Sequence, residues 1–326
     1  MPNSTSPMND NTASDRPDRT VLVLLPVYNG ARFLTQQIDS ILNQSQVQVF
    51  LLCRDDASSD PSAAILQQYR DRFPAQVHLL QDGQGNLGAS GNFSCLMQAA
   101  LAFQLPGAGE ARPAFYIALS DQDDLWHRDK LATCLAEIQR LEQLHPGQPA
   151  LVHSDLRVIA EDGSEMAPSM ARYQGLQPHF SGFAAQLLSN TLTGCTSLMN
   201  RALLQKGLPV PPEAIMHDWW LSLVASSLGS RSYLDQPLID YRQHSHNAIG
   251  AKAQAQPVVF RSILHRIFDD RHGEIFRLNA RQASAYLARF RSELTPRQRL
   301  TAWLAGHLSL PVPPLQRFIY RLLRQL

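Results

Sequence analysis

Asp121-Gln122-Asp123-Asp124 gathers three carboxylates in four residues, directly after the apolar run Phe115 to Leu119. Like charges at the end of a core strand repel, and each raises its neighbours' pKa. A divalent cation of the magnesium or manganese type, bound by hard oxygen ligands and bridging to a phosphate, would relieve that repulsion. An acidic loop with no such role has the same letters, so the rest of the chain must decide. Other polar groups of chemical interest also follow apolar runs: Pro26-Val27-Tyr28-Asn29, Asp55-Asp56 and Asn86-Leu87-Gly88.

The elements that would position them alternate in hydrophobic period. Continuous apolar runs at Val21–Leu25, Val47–Cys53, Val77–Leu80 and Phe115–Leu119 predict buried strands. Amphipathic stretches predict helices over Ala31–Leu42, Pro61–Phe73, Ala89–Gln104 and about Arg128–Leu144. Such alternation predicts an α/β fold with a parallel sheet flanked by helices. Ligands of an open sheet lie beyond the carboxyl ends of its strands, where all four polar groups fall. Further on, the pattern predicts strands at Leu151–Ser154 and Thr191–Met199, the second with a close-approach point at Gly194. It also predicts helices at Phe183–Leu188 and Trp219–Leu228, and an extended Ser232–Tyr241.

Two motifs point elsewhere and are set aside. Gly83-Gln84-Gly85-Asn86-Leu87-Gly88 matches the dinucleotide fingerprint, but it follows the third strand, and the acid that ends the next strand, Asp121, lies 33 residues beyond Gly88, where the fingerprint wants about 20. His153-Ser154-Asp155 has the letters of a hydrolytic triad, yet neighbours on a strand alternate faces. A structural role is expected for His153 and Asp155; lining the pocket from one shared face is the alternative.

The net charge of +1 hides an asymmetry: 13 Lys+Arg against 4 Asp+Glu from Ala251 onward, and 16 against 24 before it. A basic tail of amphipathic helices suggests an anionic surface or lipid-phosphate carrier as its neighbour. The stripes Phe260, Ile263, Leu264, Ile267, Phe268 and Phe318, Ile319, Leu322, Leu323 are flanked by arginines. Packing on the catalytic body or on a second subunit is the alternative for them. Residues 1–19 read as a disordered polar leader, and four scattered cysteines fit a reducing cytosol. No apolar run is long enough to span a membrane.

Taken together, Leu25 to Gly30, Arg54 to Asp60, Asn86 to Gly88 and Ser120 to Trp126 resemble glycosyltransferase family 2. So do Thr193-Gly194-Cys195-Thr196, His217-Asp218-Trp219-Trp220 and Tyr241-Arg242-Gln243-His244-Ser245-His246-Asn247. The set resembles the bacterial rhamnosyltransferase-like subgroup and covers about Thr20 to Gly250, with residues 251–326 as a helical extension. The resemblance implies a GT-A type nucleotide-diphosphosugar fold with a mixed, mostly parallel sheet, and metal-dependent, inverting sugar transfer. Its implied partners are a nucleotide-diphosphosugar donor and a glycan or lipid-linked glycan acceptor, with no nucleic acid. The donor implied by the subgroup is dTDP-rhamnose; a UDP-hexose is the alternative, and a non-catalytic carbohydrate-binding relative is a further one.

The same resemblance implies roles. Pro26 and Tyr28 flank the nucleobase, Asp55 or Asp56 accepts from it, and Asn86 and Gly88 approach the nucleotide. Asp121 faces ribose and metal, while Asp123 and His244 ligate Mg2+ or Mn2+, with His246 competing for His244's part. Asp218 is the general base. Asp124, Gly194, His217, Trp219 and Trp220 line the acceptor side, Asp124 alternatively orienting its neighbours. Many family members have an acidic pair where this chain has His217-Asp218. The place expected is the cytoplasm, at the inner face of the plasma membrane.

Overall fold

Alternation along β1 (Thr20–Val27) sends Leu22 and Leu24 to one side of the sheet and Val21, Val23 and Leu25 to the other, all fully buried. A strand buried on both faces needs helices on both. The computed structural model, which describes residues 19–106, 112–179, 182–244, 273–310 and 312–324, supplies them. The leader up to residue 18, His246 and the stripe from Phe260 to Phe268 lie outside the described residues.

The chain continues through α1 (Ala31–Leu42), β2 (Gln48–Asp55), α2 (Ser62–Arg72), β3 (Val77–Leu79) and α3 (Gly88–Ala102). A two-residue pair, β4 (Gln104–Leu105) and β5 (Arg112–Pro113), precedes β6 (Tyr116–Leu119), β7 (Leu125–Trp126) and α4 (Lys130–Leu144). Then come β8 (Ala150–Ile159), β9 (Glu165–Ala167), α5 (Met170–Gln174) and α6 (Phe183–Leu188). They are followed by β10 (Ser197–Asn200), α7 (Arg201–Gly207), α8 (His217–Leu228) and β11 (Ser230–Arg242). Three further helices are α9 (Gly273–Phe290), α10 (Pro296–Gly306) and α11 (Pro313–Leu323).

The main sheet has the order β3-β2-β1-β6-β10-β8-β11-β7, with β9 paired to β8. Strands β3, β2, β1 and β6 are parallel neighbours, as are β8 and β11, while β10 runs antiparallel between the two blocks. The mixed α/β sheet is therefore the one expected. It brings the carboxyl ends of β1, β2, β3, β6 and β8 to a single rim.

Helices α1, α2 and α4 cover one face, packing Leu34, Ile38, Leu66 and Leu135 on Val21 and Val23. On the other, α3, α6, α7 and α8 pack on Leu22, Leu24, Ile117 and Leu119. The last three helices join this second layer: Ala280, Ala283, Tyr286, Phe290, Ala302 and Ile319 are buried in it. Arg-rich as it is, the described part of the tail docks on the catalytic body through its apolar stripe.

One expected strand is mostly absent. Instead of a strand over Thr191–Met199, a 3-10 turn at Gly194–Thr196 leads into the short β10. Thr196 Oγ1 donates to Thr193 O at 2.7 Å and Ser197 Oγ to Gly194 O at 2.7 Å. These local bonds compete with a ladder and curl the backbone. Helix α8 starts two residues earlier than its periodicity indicates, with Met216 as N-cap, so Asp218 sits inside its first turn.

Candidate active site

Two loops on the rim are tied together by the residue between the acids. Tyr28 N donates to Gln122 Oε1 at 2.8 Å, and Gln122 Nε2 returns a bond to Tyr28 O at 3.0 Å. The Gln122 amide fills the space over Gly30, where a Cβ would lie 2.3 Å from Gln122 Oε1. Gly30→Ala must therefore expel that amide and leave both Tyr28 backbone groups unpaired. We expect nucleotide affinity measured by calorimetry to fall about tenfold, the loss of one or two hydrogen bonds. Unchanged affinity would show that the tie does not matter.

On the β1 side, Asn29 takes a left-handed φ of 50° and its Oδ1 accepts from Ser59 N at 2.8 Å. Asp60 accepts from Ala31 N and Ser62 N, so it fixes the starts of α1 and α2 together. Pro26 is the last residue but one of β1, and Tyr28, just beyond the strand, is 50% exposed.

Of Asp55 and Asp56, only one is free to meet a ligand. Both oxygens of Asp56 are committed: Oδ1 to Arg54 Nη1 at 2.5 Å and Leu87 N at 2.8 Å, Oδ2 to Gly88 N at 2.9 Å. Asp55 Oδ2 accepts from Ser58 N, while its Oδ1 is buried without a partner. Arg54, 1% exposed, is the hub here. It also binds Asp82 Oδ2 at 2.8 Å and the carbonyls of Gln84 and Gly85. The glycine-rich loop is thus held by a buried guanidinium. Asn86 binds Asp56 O, and Gly88 takes a φ of +70° with open space above it.

The acids after β6 divide in two. Asp123 Oδ2 lies 2.8 Å from His244 Nε2. Asp121 and Asp124 lie with Cys195 such that one ligand atom of each falls within 4.8 Å of the others. Burial, and then Asp123, push Asp121 up to about 7. Burial first, and the neighbouring acids second, push Asp124 well above the carboxylate range. Cys195 is likewise driven up by burial and these charges, so it stays a thiol.

Carboxylate oxygens and an imidazole suit magnesium or manganese, whereas a protonated thiol does not. The crowded acids and the Asp123–His244 pair fit a hard divalent cation. Asp124 is fully buried, and its Oδ1 accepts from Arg242 N at 3.3 Å. It belongs behind the site rather than on its acceptor side, a correction that leaves it the orienting part.

Tyr241-Arg242-Gln243-His244 closes the same corner. Arg242, 4% exposed, donates from Nε to Asp123 O and lies 4.6 Å from the Phe33 ring centre, and His244 packs on the same ring at 5.3 Å. His244 is therefore set by α1 as well as by β11.

Across the cleft, Asp218 Oδ1 accepts from Trp219 N at 2.6 Å and Oδ2 from Asn190 Nδ2 at 3.4 Å. A Cβ on Gly194 would lie 3.5 Å from Asp218 Oδ2, which sets the curled turn against the carboxylate. Burial raises Asp218 to about 6, and its charge in turn acts on Asp121. His217, where an acid was the alternative, stacks on Phe93 at 4.2 Å and is pushed by burial down to about 3. It stays neutral.

The tryptophans, expected to line the acceptor side, pack in the core instead. Both are buried. Trp219 Nε1 donates to Gln186 O at 2.6 Å and Trp220 Nε1 to Gly207 O at 2.9 Å. Trp220 packs edge-on to Tyr286 of α9 at 5.2 Å. Of the set-aside motif, Asp155 is structural as expected: it accepts from Ser169 Oγ and Ala171 N and anchors α5.

Sequence reasoning passed over Arg54, Gln122, Arg242 and Cys195. The first three act through backbone groups of distant loops, for which local patterns have no signal.

Comparison with known proteins agrees with this geometry. The Glycosyl transferase family 2 model matches residues 22–208. RfbG of Shigella flexneri, a dTDP-rhamnosyl transferase, is 23% identical over 70% of this chain and 74% of its own. TuaG of Bacillus subtilis, named for teichuronic acid biosynthesis, is 25% identical over 68% and 78%. The fold of S. aureus TarS 1-349 in complex with UDP-GlcNAc covers 94% of this chain and 92% of its own, with a TM-score of 0.53 and 14% identity. In the longer TarS chain, the match spans 44% of that protein. With more than half of its length matched, and the motifs on one rim, the chain belongs to glycosyl transferase family 2 and is a glycosyltransferase.

Proposed function

We propose that this enzyme transfers a sugar from a nucleoside-diphosphate donor to a hydroxyl of a cell-surface glycan acceptor with inversion. The carrying observation is that the buried Asp218, held by Asn190, lies close enough to Asp121 for its charge to act on that acid. Asp55 accepts from the nucleobase, with Pro26 and Tyr28 beside it, and Asn86 and Gly88 shape the loop next to the nucleotide. Asp121, Asp123 and His244 would hold Mg2+ or Mn2+, which neutralises diphosphate charge when bound. Asp218 takes the proton of the acceptor hydroxyl as its oxygen bonds to the anomeric carbon. The carbon–oxygen bond to the diphosphate breaks on the opposite face, and the nucleoside diphosphate leaves with the electron pair. Gly194 and the neutral His217 border the base.

The name of RfbG and the Ser120–Trp126, His217–Trp220 and Tyr241–His244 motifs support dTDP-rhamnose as donor, and the name of TuaG, with its teichuronic acid, supports a surface polysaccharide as product. A panel of dTDP- and UDP-sugars with Mn2+ tests this by thermal shift, because a bound donor raises the midpoint by mass action. The largest shift is expected for dTDP-rhamnose. A larger shift with a UDP-hexose would reassign the donor, and none with any sugar nucleotide would refute the function.

Among the described residues no helix is long and apolar enough to cross a membrane. The reading places the enzyme at the cytoplasmic membrane face, where Leu300, Trp303, Leu315 and Phe318, all exposed, stand near Arg299, Arg317 and Arg321 on α10 and α11. Co-sedimentation with anionic vesicles and not with neutral ones is expected; no binding to either would exclude it.

A further inference from the structure

Arg231 opens the wall behind the acceptor side. Its Nη2 donates to Thr191 Oγ1 at 2.8 Å, while Nε and Nη1 are buried without a partner. No carboxylate among the described residues pairs with it. Burial lowers its pKa to about 10, so it remains charged at neutral pH. Arg231 is partly buried as a whole, but a charged guanidinium with two donors shut off from water and protein acceptors alike is costly unless an anion meets them.

Its surroundings point the same way. Register pairs Arg231 with Leu151 and Tyr233 with His153, so all four side chains share one face of the sheet. His153, 1% exposed, has an unpartnered Nε2 and feels the Arg231 charge. It lies opposite Ser197, whose neighbour Leu198 lies opposite Ala118, which sets it level with Leu119, two residues before Asp121. Thr191 follows Asn190, the residue that binds Asp218. The guanidinium that carries the unspent donors is therefore bonded to the residue next to the one that holds the base.

We propose that Arg231, with His153 and Thr191, forms a subsite for an anionic group of the acceptor, a carboxylate or a phosphate ester. The proposal rests on the reading of Asp218 as the acceptor-side base, and deepens it by naming the acceptor's charge.

The test uses the full chain loaded with Mg2+ and a nucleoside diphosphate, so that the donor site is filled. Calorimetry compares methyl glucuronoside with methyl glucoside, and glycerol phosphate with glycerol. We expect one anion of the two pairs to bind at least about tenfold more tightly than its neutral counterpart, as a charged hydrogen bond requires. Which one binds identifies carboxylate or phosphate. Arg231→Gln should abolish that preference while nucleotide binding is unchanged, and its thermal midpoint in anion-free buffer should equal or exceed that of the wild type. Equal binding of charged and neutral probes, which would leave only buried water at these donors, overturns the proposal. So does a fall of several degrees in the variant's midpoint, which would mean that the guanidinium is structurally satisfied. Loss of nucleotide binding in the wild type would instead count against the donor site.

Discussion

Asp218→Asn is expected to abolish transfer, by about 10²–10⁴-fold, the contribution of a positioned general base, while nucleotide affinity stays at the wild-type value. The carboxylate is bonded to Asn190 and Trp219 N, neither of which belongs to the loops proposed to hold the nucleotide. Two pH profiles separate this from a folding effect. In the wild type, kcat/KM should rise through about pH 6 as Asp218 ionises, then level off. The stability profile runs the other way. A carboxyl whose folded pKa is raised from 3.8 to about 6 stabilises the fold fully below the lower value, and that contribution is lost as pH rises through the upper one. Above pH 6 the loss approaches about 3 kcal/mol. Asn escapes it, so the variant's midpoint relative to the wild type should be higher at pH 8 than at pH 4. Wild-type turnover in the variant would place the base elsewhere.

The second large effect concerns Asp123→Ala. Its carboxylate pairs with His244, and burial raises its pKa. Removing it should weaken Mn2+-dependent donor binding at least about a hundredfold, the scale on which metal sites respond to altered coordination. Calorimetry without metal should show wild-type and variant alike. Because the lost group is one of three crowded acids, the metal-free variant should unfold no earlier than the wild type. Donor binding that remains equally Mn2+-dependent in the variant would remove Asp123 from the cation site.

The rim was legible because each parallel strand is a continuous apolar run and its chemistry follows directly. Val21–Leu25, then Pro26 to Asn29, could be read without any distant contact. Less legible were features set by partners far along the chain. Asp55 and Asp56 are equivalent in sequence, and Arg54 together with the backbone N–H groups of Leu87 and Gly88, all bound to Asp56, separates them. Trp219 and Trp220 look available until α9, more than fifty residues later, covers the second of them. The curl at Gly194 escaped a β-propensity reading because Thr196 and Ser197 spend their hydroxyls on local carbonyls.

Sugar transfer as proposed depends on where a cation and a diphosphate bind relative to Asp218. A crystal structure of the chain with Mn2+ and a nucleoside diphosphate, with anomalous data at the manganese edge, measures this directly. The account predicts a single peak within about 2.0–2.3 Å of ligand atoms from Asp123 and His244, with the diphosphate on its open side and Asp218 across the cleft. A peak elsewhere, or a nucleotide seated away from Asp55 and Tyr28, would contradict it.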